Sequence, residues 1–220
     1  MTATTVFPFY HGFIFLWYLF LTYSFFTVNT TDQPEGVFRY GGLWKYLTVL
    51  NVVLQTVFYS ICFMSDLLRP IRRSRLVTYI ISCRDLLFSV LAFPAATFVF
   101  LAFWALYSYD RQLVYPEGLD RIIPLWLNHA VHTVVFPLAV LEMVTCPHRY
   151  PSKKRGFLIL GLCSAFYLSW VLWIYFADGN WVYPFLGLLN PFEFVMFSLS
   201  INIFVGSIYI AGEFLNYLLW

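Results

Sequence analysis

Charge is what this chain has least of. Across its 220 residues only 11% are Asp, Glu, Lys or Arg, against 61% hydrophobic and 22% aromatic. A soluble domain of that size cannot cover its apolar surface with so few charges, so lipid must be the solvent for most of the chain. The net charge of +2 is too small to hold nucleic acid, which removes that class of partner. Cysteine is scarce as well. Cys62, Cys83, Cys146 and Cys163 form no CxxC pair, and three of them sit in or beside apolar runs, where an inert thiol is the simple reading. Cys146, beside the basic stretch PHRYPSKKRG, is the palmitoylation candidate. The 4 histidines are too few for a membrane di-iron oxygenase. A metal site needs three or four ligands with supporting carboxylates, so neither metal nor cofactor is expected. The opening MTATT lacks a basic region, and the first apolar run is long enough to span, so no cleavable signal peptide is expected.

Long apolar runs are abundant. A spanning helix needs about 20 apolar residues, and runs near 7–27, 42–64, 84–107, 122–145, 156–177 and 192–217 meet that length. Only short polar connections separate them. The expected architecture is an all-α, polytopic, six-helix bundle, a single transmembrane domain over residues 1–220 with no repeat. Positive charge orients it. Arg69, Arg72, Arg73 and Arg75 follow the second run, and Arg149, Lys153, Lys154 and Arg155 follow the fourth. Both are even-numbered loops, which puts them and both termini in the cytoplasm. The opposite loops are acidic or mixed, and Trp181-Val182-Tyr183-Pro184 reads as an interfacial aromatic belt. Asn29-Thr30-Thr31 is a formal glycosylation sequon, but it lies at the very end of a span, too close to the membrane for modification.

Polar groups inside the membrane are costly and usually face a bundle interior or a wet cavity. Thr48, Asn51 and Gln55 share one side of the second helix, with Lys45 bordering it. Asn128 and His132 are four apart on the fourth, Glu142 lies in the same sector further down, and His129 is one notch round. Ser198, Asn202, Tyr209, Glu213 and Asn216 line up on the last. A polar interior shared by three helices follows. Depth separates the roles. Thr48, roughly 9 Å below the outer face, and His132, roughly 15 Å below it, can meet in the outer half of the bundle at 1.5 Å per residue. Arg84, Asp85, Glu142 and Glu213 lie near the inner ends and read as a structural ion-pair girdle. Lys45 is expected to snorkel to the outer headgroups, and His129 to act as an interfacial donor.

A hydroxyl beside an imidazole can do chemistry. The ring takes the proton as the hydroxyl attacks an ester carbonyl, then returns it to the leaving alkoxide. A third group usually fixes the ring's tautomer. Asn128 and Glu142 are both positioned for that, and spacing does not choose between them. Thr48 and His132 should therefore approach hydrogen-bond distance inside a cavity that opens laterally to lipid through an apolar tunnel.

The segments WKYLTVLNVVLQTVFY (44–59), RDLLFSVLAFPAATFVFLAFW (84–104), IPLWLNHAVHTVVFP (123–137), YPSKKRG (150–156), WVYP (181–184) and SIYIAGEFLN (207–216) run through nearly the whole chain in order. On them the chain resembles the androgen-induced gene 1 family. The resemblance implies a membrane-embedded, threonine-dependent hydrolase that cleaves fatty acid esters of hydroxy fatty acids. Thr48 matches the family's nucleophile and His132, the second histidine of NHxxHT, its general base and acid. Asn128, His129, Asn51 and Lys45 are the candidate supporting residues. The one departure is the C-terminus, which stops at Trp220 where a polar tail is expected. The implied partners are a branched acyl-ester lipid and the bilayer, with the protein a monomer in the plasma membrane or, alternatively, the endoplasmic reticulum. The competing reading is a non-catalytic membrane scaffold or lipid-binding regulator of coagulation-inhibitor expression and trafficking.

Overall fold

The computed structural model describes residues 3–27, 40–68 and 75–220. The Asn29-Thr30-Thr31 sequon and Arg69, Arg72 and Arg73 of the first basic loop lie outside the described residues. The chain is 86% helical, with no strand among the described residues. Its 6 spans are Val6–Thr27, Leu47–Leu67, Arg75–Leu113, Leu125–Thr145, Lys153–Asp178 and Pro191–Leu219, those of a multi-pass membrane protein.

The helices are α1 (Ala3–Thr27), α2 (Leu47–Leu67), α3 (Arg75–Leu87), α4 (Phe93–Asp110), α5 (Leu125–His132), α6 (Val135–Thr145), α7 (Lys153–Asp178) and α8 (Pro191–Leu219). Local chemistry explains where they depart from the expected runs. The second run starts late, because Gly41 (φ 73°) and Gly42 (φ 53°) take the left-handed conformation that side chains resist. Residues Gly42–Lys45 close a 3-10 turn, Tyr46 is extended, and α2 begins only at Leu47. Thr48 consequently lies in the first turn of a helix rather than several residues into one.

The third span starts earlier than expected and covers 39 residues, about 58 Å at 1.5 Å each. That exceeds a hydrocarbon core of about 30 Å, so the end carrying Arg75 reaches into the headgroups. A π-helical turn at Phe88–Ala92 joins α3 to α4 just before Pro94. Proline has no N–H and crowds the preceding turn, and a widened turn is the usual accommodation. The fourth span is broken. Pro137 cannot donate to the Thr133 carbonyl, so α5 ends at His132 and α6 starts at Val135. Thr133 and Val134 N–H both fall back on His129 O, at 2.8 and 3.0 Å.

The core forms where α1 packs on α2, with Tyr18 stacked on Tyr59 at 5.5 Å beside buried Leu21, Val52 and Phe58. Trp220 Nε1 donates to Met143 O, and His11 reaches Glu142, so the start of α1, the end of α6 and the end of α8 share one end of the bundle. The first turn of α2 lies at the other end. α8 contributes only part of the expected polar stripe to the bundle: Tyr209 is buried and Asn216 bonds the His148 N–H and carbonyl at 3.2 and 3.0 Å. Asn202 is exposed and donates to Ser198 O, while Ser198 Oγ donates to Phe194 O. These groups are satisfied by their own helix, and α8 packs instead through Gly206, Ile208, Tyr209 and Gly212.

Candidate active site

The first turn of α2 faces the broken end of α5. Thr48 Oγ1 lies 3.0 Å from His132 Nε2. On the other side of the ring, Nδ1 lies 2.7 Å from Asn128 Oδ1 and 3.1 Å from Asn128 O. Both partners of Nδ1 are acceptors, so Nδ1 carries the hydrogen and Nε2 presents a lone pair to the hydroxyl. The ring is also clamped by Phe103, parallel within 7° at a centroid distance of 3.5 Å. His132 is 7% exposed and Asn128 3%, while Thr48 is half-buried. The hydroxyl is thus the accessible member of an otherwise enclosed triad.

Backbone donors surround the hydroxyl because it sits at a helix start, where the first N–H groups have no intrahelical acceptor. Leu47 N–H donates to Tyr183 Oη (3.1 Å), and Val49 N–H to Tyr46 O (3.1 Å). Among the described residues the Thr48 N–H has no acceptor. One turn on, Gln55 Nε2 donates to both Ala92 O (2.9 Å) and Asn51 Oδ1 (3.1 Å). This fixes the Asn51 amide with Nδ2 as its free end, buried and without a partner. Helical side chains lean toward the helix N-terminus, which brings Asn51 back over the turn that carries Thr48.

The other expected residues go elsewhere. His129 is exposed, stacked on Trp104, with Nδ1 3.0 Å from Thr133 Oγ1. Lys45 does not snorkel: it is 4% exposed, packed in the 3-10 turn, and burial holds its ammonium below the ordinary value despite the Asp178 charge. Tyr183 is not simply part of an interfacial belt. With Tyr167, which donates to Lys45 O (3.1 Å) and lies 3.0 Å from the Tyr183 hydroxyl, it buttresses the start of α2.

Three of the four charges expected as one girdle are linked through His148, and Glu213 stands apart. Arg84 pairs with its neighbour Asp85 (2.6 Å), and Glu213 meets the exposed Lys153 at 3.8 Å. Glu142, fully buried, sits between two histidines that spacing did not implicate: His11 Nε2 at 3.1 Å and His148 Nε2 at 3.2 Å. Asp66 (2.6 Å) and Asp85 (3.3 Å) hold the Nδ1 atoms of those two rings. Asn128, not Glu142, therefore contacts the His132 ring. Cys146 is 5% exposed and turned toward His11 Nε2, so its thiol is not presented for lipidation.

Two clefts lie among the described residues, in opposite parts of the bundle. One, about 830 Å³, lies by Arg84, His148, Glu213 and Trp220, and the other, about 280 Å³, between α1 and α2 by Phe25, Trp44 and Val52. Neither is lined by Thr48 or His132, so the expected lateral tunnel is not one of them.

Comparison with known proteins matches this architecture to one group. The profile of the FAR-17a/AIG1-like protein family matches residues 6–217. Androgen-dependent TFPI-regulating protein from Mesocricetus auratus is 44% identical over 220 residues, covering 100% of this chain and 95% of that protein. The Homo sapiens protein of the same name is 43% identical over 211 residues, 96% of this chain and 92% of its own length. Androgen-induced gene 1 protein from Homo sapiens is 42% identical over 188 residues, covering 82% and 79% respectively. No solved structure matches significantly. A profile match along almost the whole chain, with relatives above 40% identity, makes this protein a member of the FAR-17a/AIG1-like family.

Proposed function

We propose that this protein is a membrane-embedded threonine hydrolase that cleaves fatty acid esters of hydroxy fatty acids. The observation that carries the reading is the Thr48–His132–Asn128 arrangement: a half-buried hydroxyl 3.0 Å from an imidazole nitrogen whose opposite N–H is held at 2.7 Å. His132 Nε2 takes the hydroxyl proton as Thr48 Oγ1 adds to the ester carbonyl. The oxyanion is met by the Thr48 amide and by Asn51 Nδ2, donors that would otherwise have no acceptor. Collapse breaks the ester C–O bond, and His132 delivers its proton to the departing alkoxide of the hydroxy fatty acid. Water, deprotonated by the same ring, then adds to the threonine ester and releases the fatty acid. Asn128 stays neutral and holds the tautomer, the role Asn has in cysteine-histidine-asparagine sites.

The reading extends to its setting. The basic loops and both termini face the cytoplasm, the chain acts as a monomer in the plasma membrane or endoplasmic reticulum, and substrate enters from the outer leaflet near Thr48. The names of the similar proteins point to regulation of TFPI, which supports a second reading as a membrane regulator without catalysis. Fluorophosphonate labelling separates the two. The folded protein should be labelled on Thr48 and should turn over ester in membranes. Absence of both in wild-type protein would leave the regulator.

A further inference from the structure

At the opposite end of the bundle from Thr48, charges are buried in a linked row: Arg84, Asp85, His148, Glu142, His11 and Asp66. Each histidine nitrogen in the row faces a carboxylate oxygen. One arginine and two histidines thus meet three carboxylates. The hydrolytic reading uses none of these groups.

Cys146 sits at the edge of this row, and its placement is unexplained by charge balance. It caps the end of α6, where its N–H donates to Glu142 O at 2.9 Å and keeps the two residues close. Its Sγ is 3.7 Å from His11 Nε2, which in turn is 3.1 Å from Glu142 Oε2, and the three atoms all fall within 4.8 Å of one another. Tetrahedral coordination at about 2.0–2.1 Å for N and O and about 2.3 Å for S requires ligand-to-ligand edges of about 3.3 Å for N–O and about 3.6 Å for N–S. The two measured edges are already close to those values.

The support expected of such a centre is also present. A histidine ligand ordinarily donates its other ring N–H to a carboxylate, which fixes the ring and raises its basicity. Here Asp66 Oδ2 lies 2.6 Å from His11 Nδ1. The Tyr10 hydroxyl, on a ring 4.8 Å from that of His11, is buried beside Glu142 and Thr145.

We propose that His11 Nε2, Glu142 Oε2 and Cys146 Sγ form a binding site for a zinc-class divalent cation, with Asp66 orienting His11 and water in the fourth position. An imidazole, a carboxylate and a thiolate suit Zn²⁺ and disfavour Mg²⁺ or Ca²⁺, which take oxygen ligands. Ligands bind in their deprotonated forms, His11 through a bare Nε2 and Cys146 as the thiolate, so uptake of the ion releases protons. His11 lies near the start of the first span and Cys146 one residue past the end of the fourth, so the ion enters from the membrane surface at that end. The cation ties α1 to the end of α6.

The test uses full-length protein purified in detergent, depleted with chelator and titrated with Co²⁺. One equivalent should bind, with a thiolate-to-cobalt charge-transfer band that Zn²⁺ abolishes. Cys146→Ser should lose the band while Cys163→Ser keeps it. Asp66→Asn should keep it with affinity reduced about 10- to 100-fold. Zinc K-edge absorption of the wild type needs no variant and should find one sulfur at about 2.3 Å with lighter ligands near 2.0 Å. A wild type without the band, a band surviving in Cys146→Ser, or a zinc shell of nitrogen and oxygen alone overturns the site. None of these readouts depends on ester hydrolysis, so their failure leaves the Thr48 reading standing.

Discussion

Asn128→Ala is the most informative change, because it tests the third member of the triad that spacing alone did not choose. The side-chain oxygen, 2.7 Å from His132 Nδ1, disappears, but the Asn128 carbonyl at 3.1 Å remains as a weaker acceptor. Removing a partner from a buried donor costs about 1–3 kcal/mol, and the retained carbonyl puts the loss in the lower half of that range. In rate terms the full range is about 5- to 150-fold, so turnover should fall about 5- to 30-fold. KM should barely change, since Asn128 touches the ring and not the lipid. The assay is ester turnover in nanodiscs, normalised to folded protein, alongside the second-order rate of fluorophosphonate labelling. Both pass through attack by Thr48 and should fall by the same factor. His129→Ala, which removes an exposed contact to Thr133 and a stack on Trp104 but nothing at Thr48 or His132, should stay within about twofold. The reasoning fails if Asn128→Ala labels and turns over at the wild-type rate, or if turnover falls while labelling does not.

Thr48→Ala should abolish labelling and turnover with the helix intact, alanine being the better helix former. Thr48→Ser should retain reduced activity, because the hydroxyl loses the methyl that restricts χ1. His132→Ala should be as damaging as Thr48→Ala and the double variant little worse, since members of one catalytic unit are not additive; additive losses would separate them. Glu142→Gln leaves buried histidines facing an uncharged amide, and breaking such a pair costs about 3–5 kcal/mol. It should reduce folded yield in fluorescence-detected size exclusion, with turnover per folded molecule preserved. Gly156→Ala would put a methyl 2.6 Å from Tyr209 Cζ, where Tyr209 is fully buried, and should lower the melting temperature by overpacking worth about 1–3 kcal/mol. Burial holds Lys45 below its ordinary 10.5, so the unfolded chain carries more protons between the two values and stability rises with pH through that window. Lys45→Met should melt higher than wild type at neutral pH and lose that rise, and melting curves measured up to about pH 10.5 check it.

Much of the architecture was legible in the amino-acid order because lipid imposes few solutions. Runs of about 20 apolar residues must become helices, since no water satisfies their backbone. Helical spacing then put Thr48, Asn51 and Gln55 on one face, whereas the break that Pro137 causes after His132 was read as unbroken helix. What spacing could not supply was direction between helices. Asn128 and Glu142 lie in one sector of a continuous helix, but the chain turns between α5 and α6, sending Asn128 to the His132 ring and Glu142 to His11 and His148. The α8 stripe held only toward its C-terminus, where Asn216 bonds the His148 backbone, because Ser198 and Asn202 bond to their own helix and need no shared interior. Lys45 was taken for a headgroup anchor because the glycine turn that buries it was read as helix. His11, Asp66, Glu142 and Cys146 are separated by up to 135 residues and carry no common motif. Periodicity within one helix cannot report contacts among α1, α2 and α6; those arise only when the packing of Tyr18 on Tyr59 draws the helices together. The order of residues determined the helices and the chemical groups available, and tertiary packing decided which groups meet.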